Sequence, residues 1–391
     1  RVAQLDQRGT GALALRCPEL QRAALSDLTV PPPGAVEACG ARLGPRRGAF
    51  ATTATVEDLE AVRRALGVER MAIYGISYGT YVAMRYARAF PERVSRLVLD
   101  SVVPQENVDP FMRASMARAG AVLRALCARG ACRGITRSAE ADLARLVRRA
   151  GTRPLRGSAR LPGGRVVPLR LDGPALLDLV VIAASLREDL LAQLPGAVRA
   201  ALRGRGAWLL DLAGQARASA AAGAPVLSMG LHTATLCADV AFPWGGPAPA
   251  PAARAAAVAR AAASLDPRSL GPFDRATAAG NGLLETCRRW PETAVAPPPE
   301  PGPLPPVPIL LLAGARDLST PLADARREAR RSPTAQLAVL PGVGHSTLFV
   351  DACTWPLVRR FFADQPLRHA CGGRPLRLLR RPPAAETHRR R

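Results

Sequence analysis

Short apolar runs alternate with amphipathic stretches at both ends of the chain. Val2-Ala3-Gln4-Leu5 predicts a short buried strand, ending at Asp6-Gln7-Arg8-Gly9-Thr10-Gly11. Thr55-Val56-Glu57-Asp58 has the spacing of a capping box and opens an amphipathic helix through Leu66, stopped at Gly67. Met71-Ala72-Ile73-Tyr74 predicts the next strand, residues 78–90 a helix halted by Pro91, and Arg96-Leu97-Val98-Leu99-Asp100 another buried strand. Further on, residues 307–313 and 335–340 predict strands, and 322–331 and 351–362 predict helices. Strands that are unbroken apolar runs, separated by helices, indicate a parallel α/β sheet covered on both faces.

The middle has another texture. From Pro104 to about Ala296, alanine- and arginine-rich helical periodicity dominates, with few β-branched runs. Proline and glycine interrupt it at residues 151–168, 204–206 and 243–251. This predicts an inserted, mostly helical cap, with residues 297–308 as a stiff proline-rich return. The expected organisation is a first core part at 1–103, a cap at 104–303, a second core part at 304–372 and a basic, disordered tail at 373–391. No internal repeat is evident.

Composition narrows the classes. The 391 residues suit one large domain or a core with a sizeable insertion, and 48% hydrophobic content can fill that core. The best membrane candidate, residues 175–186, is too short to cross a bilayer and is broken by Asp178. Net charge is +23, which raises nucleic acid as a partner. All 54 basic residues are arginine, however, in a chain rich in alanine, glycine and proline, and they are scattered rather than striped. That is the composition of a GC-rich genome, and nucleic-acid binding is not expected. Only the end is dense, with Arg374, Arg377, Arg380, Arg381, Arg389, Arg390 and Arg391.

Eight cysteines fall as neighbours that could pair: Cys17 with Cys39, Cys127 with Cys132, Cys237 with Cys287, and Cys353 with Cys371. None has the tandem spacing of a zinc site, so no metal and no cofactor is expected. An even count points to disulfides and an extracytoplasmic or secreted protein, although spacing alone leaves the connectivity open. The chain starts at Arg1, directly on an apparent strand and with no visible signal peptide, so a missing front is expected.

The chemistry centres on Gly75-Ile76-Ser77-Tyr78-Gly79, between a predicted strand and a predicted helix. Glycines there permit a turn tight enough to push a serine hydroxyl out above the sheet edge. Such a serine needs a base and the base an orienting acid. Of four histidines, His388 lies in the tail, His369 just before Cys371 and His232 inside the cap. His345 alone, in Pro341-Gly342-Val343-Gly344-His345-Ser346, follows a C-terminal strand. Two acids end strands, Asp317 and Asp100. The order Ser77, Asp317, His345 favours Asp317, with Asp100 expected to contact backbone or cap. The backbone N–H of Tyr78 is the expected first oxyanion donor.

The chain resembles the tripeptidyl/prolyl aminopeptidase family of serine α/β-hydrolases. The resemblance rests on the residues 6–11 turn, on Gly75-Ile76-Ser77-Tyr78-Gly79-Thr80-Tyr81, on Gly314-Ala315-Arg316-Asp317-Leu318-Ser319-Thr320-Pro321 and on Gly342-Val343-Gly344-His345. It extends to the Cys353 to Cys371 stretch and, loosely, to the cap around Cys237-Ala238-Asp239 and residues 287–290. It implies an α/β-hydrolase fold with hydrolysis of a peptide bond near a free N-terminus, and a Gly-rich oxyanion loop and first strands ahead of Asp6 that this chain lacks. Recognition of a protonated amine would need a cap carboxylate, for which Asp239, Glu285 and Glu106 are candidates in that order. Competing readings are an esterase or other small-molecule hydrolase on the same residues, and an inactive fragment or binding module lacking half its oxyanion hole. A monomer acting on a peptide or small molecule is expected.

Overall fold

Four parallel strands carry the core, and their order sets where everything else sits. In the computed structural model, residues 2–23, 28–223, 227–245, 250–293, 295–367, 371–372 and 376–383 are described. Among these residues the strands are β1 (Met71–Ile76), β2 (Val94–Asp100), β3 (Leu155–Arg160), β4 (Val166–Leu171), β5 (Ile309–Gly314) and β6 (Ala335–Leu340). The main sheet runs β1-β2-β5-β6, all pairings parallel, and β3 with β4 forms a separate antiparallel hairpin.

Alternate residues of these apolar strands serve two layers. Leu97 and Leu99 of β2 and Ile309, Leu311 and Ala313 of β5 pack on one side, against the Tyr78–Ala89 and Leu322–Arg331 helices. Val98, Leu310 and Leu312 face the other side, against Leu357, Val358 and Phe361 of the Thr354–Phe362 helix. Burial on both faces is why β2 and β5 read as continuous apolar runs. The fold is that of an α/β-hydrolase.

Between β2 and β5 the chain leaves the sheet and builds a second apolar core of its own. Its centre is the Gly173–Ser185 helix, buried on nearly every side. Asp172 caps that helix by accepting from Ala175 N–H, with Pro174 in its first turn. Asp178, the residue that breaks the apolar run, is buried and accepts from the Thr29 hydroxyl at 2.8 Å. No helix among the described residues is long and apolar enough to cross a membrane.

Several local expectations change. Val2 to Leu5 forms no strand; Val2 is fully exposed, and no ladder partner meets it among the described residues. The first long helix is Thr52–Ala65, three residues earlier than the capping box predicts. The Asp239 carboxylate takes the Thr52 N–H at 3.0 Å, so a side chain remote in sequence starts the helix instead of Thr55. Residues 155–171, overlapping the 151–168 stretch read only as a break in helical periodicity, form the β3–β4 hairpin; alternate residues Ala159, Leu169 and Leu171 bury one face of it. Residues 376–383, assigned to a solvated tail, lie against the inserted segment, with Leu376 and Leu379 on its apolar cluster and Leu379 N–H donating to Ala192 O at 3.0 Å. His369, His388, Arg374 and Arg389 to Arg391 lie outside the described residues. All eight cysteines are disulfide-bonded, in the four neighbour pairs named above.

Candidate active site

Ser77 follows β1 and stands at φ 53°, ψ −124°, a conformation few L-residues adopt. The turn that holds it there is enforced at Gly75, where a Cβ would come within 2.3 Å of Gly79 O. Gly79 carries no such demand, since a Cβ on it would meet nothing within 4 Å. Ser77 N–H donates to Asp100 O at 2.9 Å, and its own carbonyl accepts from Thr80 N–H and the Thr80 hydroxyl. Tyr78 begins the following helix, where first-turn N–H groups have no intrahelical acceptor.

Asp317 follows β5 and His345 follows β6, and the structure brings the two together. The Asp317 carboxylate meets His345 Nδ1 at 2.7 Å, with Asp317 1% exposed. Its other bonds come from Ser319 N–H at 2.8 Å, Thr320 N–H at 3.1 Å and the Thr320 hydroxyl at 2.6 Å. Burial alone would raise this carboxyl's pKa; the facing His345 imidazole and the Thr320 donors outweigh it and hold the group below the usual carboxylate range.

β1 and β6 lie at opposite edges of the sheet, about 14 Å apart at the usual strand spacing. The loop after β6 passes β5 and folds back to the end of β2, the strand next to β1. Ser346 N–H donates to Ser101 Oγ at 2.8 Å, and Thr347 N–H, the Thr347 hydroxyl and Leu348 N–H all donate to the Asp100 carboxylate. Asp100 also accepts from the Ser101 hydroxyl and from Tyr74 OH. Through its backbone oxygen Asp100 holds the elbow, and through its carboxylate it holds the segment next to His345. Asp100 is thus an anchor, with no imidazole against it among the described residues.

The cap carboxylates offered as amine anchors already have partners. Asp239 accepts from Thr52 N–H and the Thr52 hydroxyl, and that hydroxyl lies 2.7 Å from Tyr78 OH. Burial raises the Asp239 pKa despite the Thr52 donors, and burial pushes the Tyr78 phenol up to about 12. Glu285 is engaged by Arg288 and Arg289. Glu106 is engaged by Arg331 and lines a cavity of about 600 Å³ that Ser319, in the loop carrying Asp317, also lines. No group of acids, histidines and cysteines suited to a metal occurs among the described residues. Thr320 and Ser101 were not singled out from the sequence. A hydroxyl three residues after a loop Asp was the available sign for Thr320; Ser101 carried none, since its role follows from a β6 loop that passes β5 to reach the end of β2.

Comparisons with known proteins match several stretches of this chain. A family described as "alpha/beta hydrolase fold" matches residues 32–129, and one described as "TAP-like protein" matches residues 272–370. Tripeptidyl aminopeptidase of Streptomyces lividans is 34% identical over 113 residues, covering 25% of this chain and 21% of that protein. Serine protease Hip1 of Mycobacterium tuberculosis is 42% identical over 60 residues, 15% of this chain and 11% of that protein. A probable proline iminopeptidase of Streptomyces coelicolor is 30% identical over 109 residues, 28% of this chain and 27% of that protein. The matched segments thus span about a quarter or less of each relative's length.

Proposed function

We propose that this chain, a tripeptidyl/prolyl aminopeptidase-like α/β-hydrolase, works as a serine exopeptidase releasing short peptides or proline from free N-termini. Ser77 attacks the scissile carbonyl, His345 takes its proton, and Asp317 keeps the imidazole in the useful tautomer. The Tyr78 N–H bears part of the oxyanion, helped by its place at a helix N-terminus. His345 then protonates the leaving amine, and water releases the acyl group. Residues 104–303 act as the cap that selects the substrate. Four disulfides support an extracytoplasmic site of action.

The observation that carries the reading is the buried 2.7 Å contact between Asp317 and His345 on the same sheet rim as the Ser77 elbow. A fluorophosphonate probe should label Ser77, and Ser77→Ala should abolish labelling and lower kcat by about 10⁶-fold. A free-amine tripeptide anilide should be cleaved about 10 to 100 times faster than its N-acetyl form, the worth of one charge-assisted contact to the amine. Equal turnover of the two, or turnover of esters only, would replace the exopeptidase reading with that of a small-molecule hydrolase.

A further inference from the structure

We propose that Ser185, the last residue of the Gly173–Ser185 helix, is a positioning residue for the Asp317–His345 pair; this rests on the catalytic reading just given. Its Oγ accepts from Leu318 N–H at 2.9 Å and from Ser319 N–H at 3.0 Å, the two amides that follow Asp317. Its carbonyl accepts from His345 N–H at 2.7 Å. One buried residue of the inserted segment therefore holds the acid loop with its side chain and the base loop with its backbone.

The packing explains why this residue type stands there. The last carbonyls of a helix have no intrahelical donor, so the Ser185 oxygen is free to receive His345. Gly344 must be glycine for the loop to descend this far, since a Cβ there would lie 2.1 Å from Ser185 O. Leu318, fully buried, packs into the apolar core of the inserted segment rather than into the sheet. Ser319 N–H also reaches Asp317 Oδ1 at 2.8 Å, so Leu318 N–H depends most on the serine oxygen. Two further ties point the same way: Arg118 Nη2 donates to Ala315 O at 2.6 Å, and Arg316 pairs with Glu188. The acid loop is sewn to the insertion at several consecutive residues. The insertion is then part of the acid–base machinery, and displacement of its central helix displaces both loops together.

Ser185→Ala keeps the carbonyl contact and removes both side-chain bonds. Misplacing a catalytic group by up to about 1 Å costs up to about 100-fold in rate. Ser185→Ala should therefore lower kcat by about 10 to 100-fold on a tripeptide anilide and on a small acyl ester alike, with KM within about twofold. Fluorophosphonate labelling of Ser77 should slow by a similar factor. Backbone amides of Leu318 and Ser319 should exchange hydrogen at least about ten times faster. Ser185→Thr, which returns the hydroxyl, should recover most of the rate. Should Ser185→Ala fail to fold, Ser185→Cys keeps the size, weakens the acceptor and carries the same expectations. Unchanged kcat and exchange in a folded variant would overturn the inference, as would a rise in KM for the tripeptide alone, which would mark a substrate contact. A wild-type Ser77 that no fluorophosphonate reaches would overturn the hydrolase reading and this inference with it, whereas a labelled wild type with an unaltered variant overturns this inference alone.

Discussion

Asp100 ends β2 and Asp317 follows β5, so two buried carboxylates stand one strand apart on the same rim of the sheet. Asp100 receives five donors, from Tyr74, Ser101, Leu348 and, twice, Thr347, every one of them neutral. Asp317 receives three from Ser319 and Thr320 and turns one oxygen to the His345 ring. The first arrangement has nothing to gain from a proton moving nearby. The second faces a group whose charge changes when a nucleophile is deprotonated, and it can stabilise the imidazolium that forms. What a buried carboxylate does is thus read from what faces it, since depth is common to both.

Substitution should pull the two apart. Asp317→Asn should leave the fold intact and lower kcat by about 10⁴-fold, because an amide facing Nδ1 favours the wrong tautomer. Single-turnover acylation with a chromogenic ester measures this. Asp100→Asn should do the opposite. Its new NH₂ would face donors, so stability should fall by about 3 kcal/mol in urea titration, while the rate per folded molecule stays within about tenfold. If folded Asp100→Asn loses as much rate as Asp317→Asn, the assignment of acid and anchor is wrong.

The same contrast marks how much was legible in the chain. Ser77, Asp317 and His345 follow strand ends whose apolar runs are unmistakable, and the end of the helix after Ser77 is signalled by Pro91. β6 and the 322–331 helix occupy the residues that the periodicity predicts. What stayed hidden depends on contacts across long sequence separations. Asp239 starting the helix at Thr52, the β6 loop reaching the end of β2, and Ser185 meeting both catalytic loops are such contacts. Local periodicity carries no record of them. The β3–β4 hairpin was missed for another reason: proline, glycine and arginine at its exposed positions mask an alternation that only Ala159, Leu169 and Leu171 express.

A third carboxylate tests the rule from its weak end. Asp324 is 8% exposed, yet its carboxylate has a single strong partner, Arg327, where Asp100 has five donors. Burial, with Glu106, Asp109 and Glu328 nearby, raises its pKa to about 6 against the pull of Arg327. In the unfolded chain an Asp titrates near 3.9. Between these values the folded state binds the extra proton, so stability falls as pH rises from about 4 to 6, and the full burden is present above that. Asp324→Asn should therefore stabilise the protein by about 1–2 kcal/mol at pH 7.5 and leave it nearly unchanged at pH 4. Urea midpoints at the two pH values decide it. A variant no more stable than wild type at pH 7.5 would mean that Arg327 alone suffices for Asp324, and that the number of donors is not what separates these three groups.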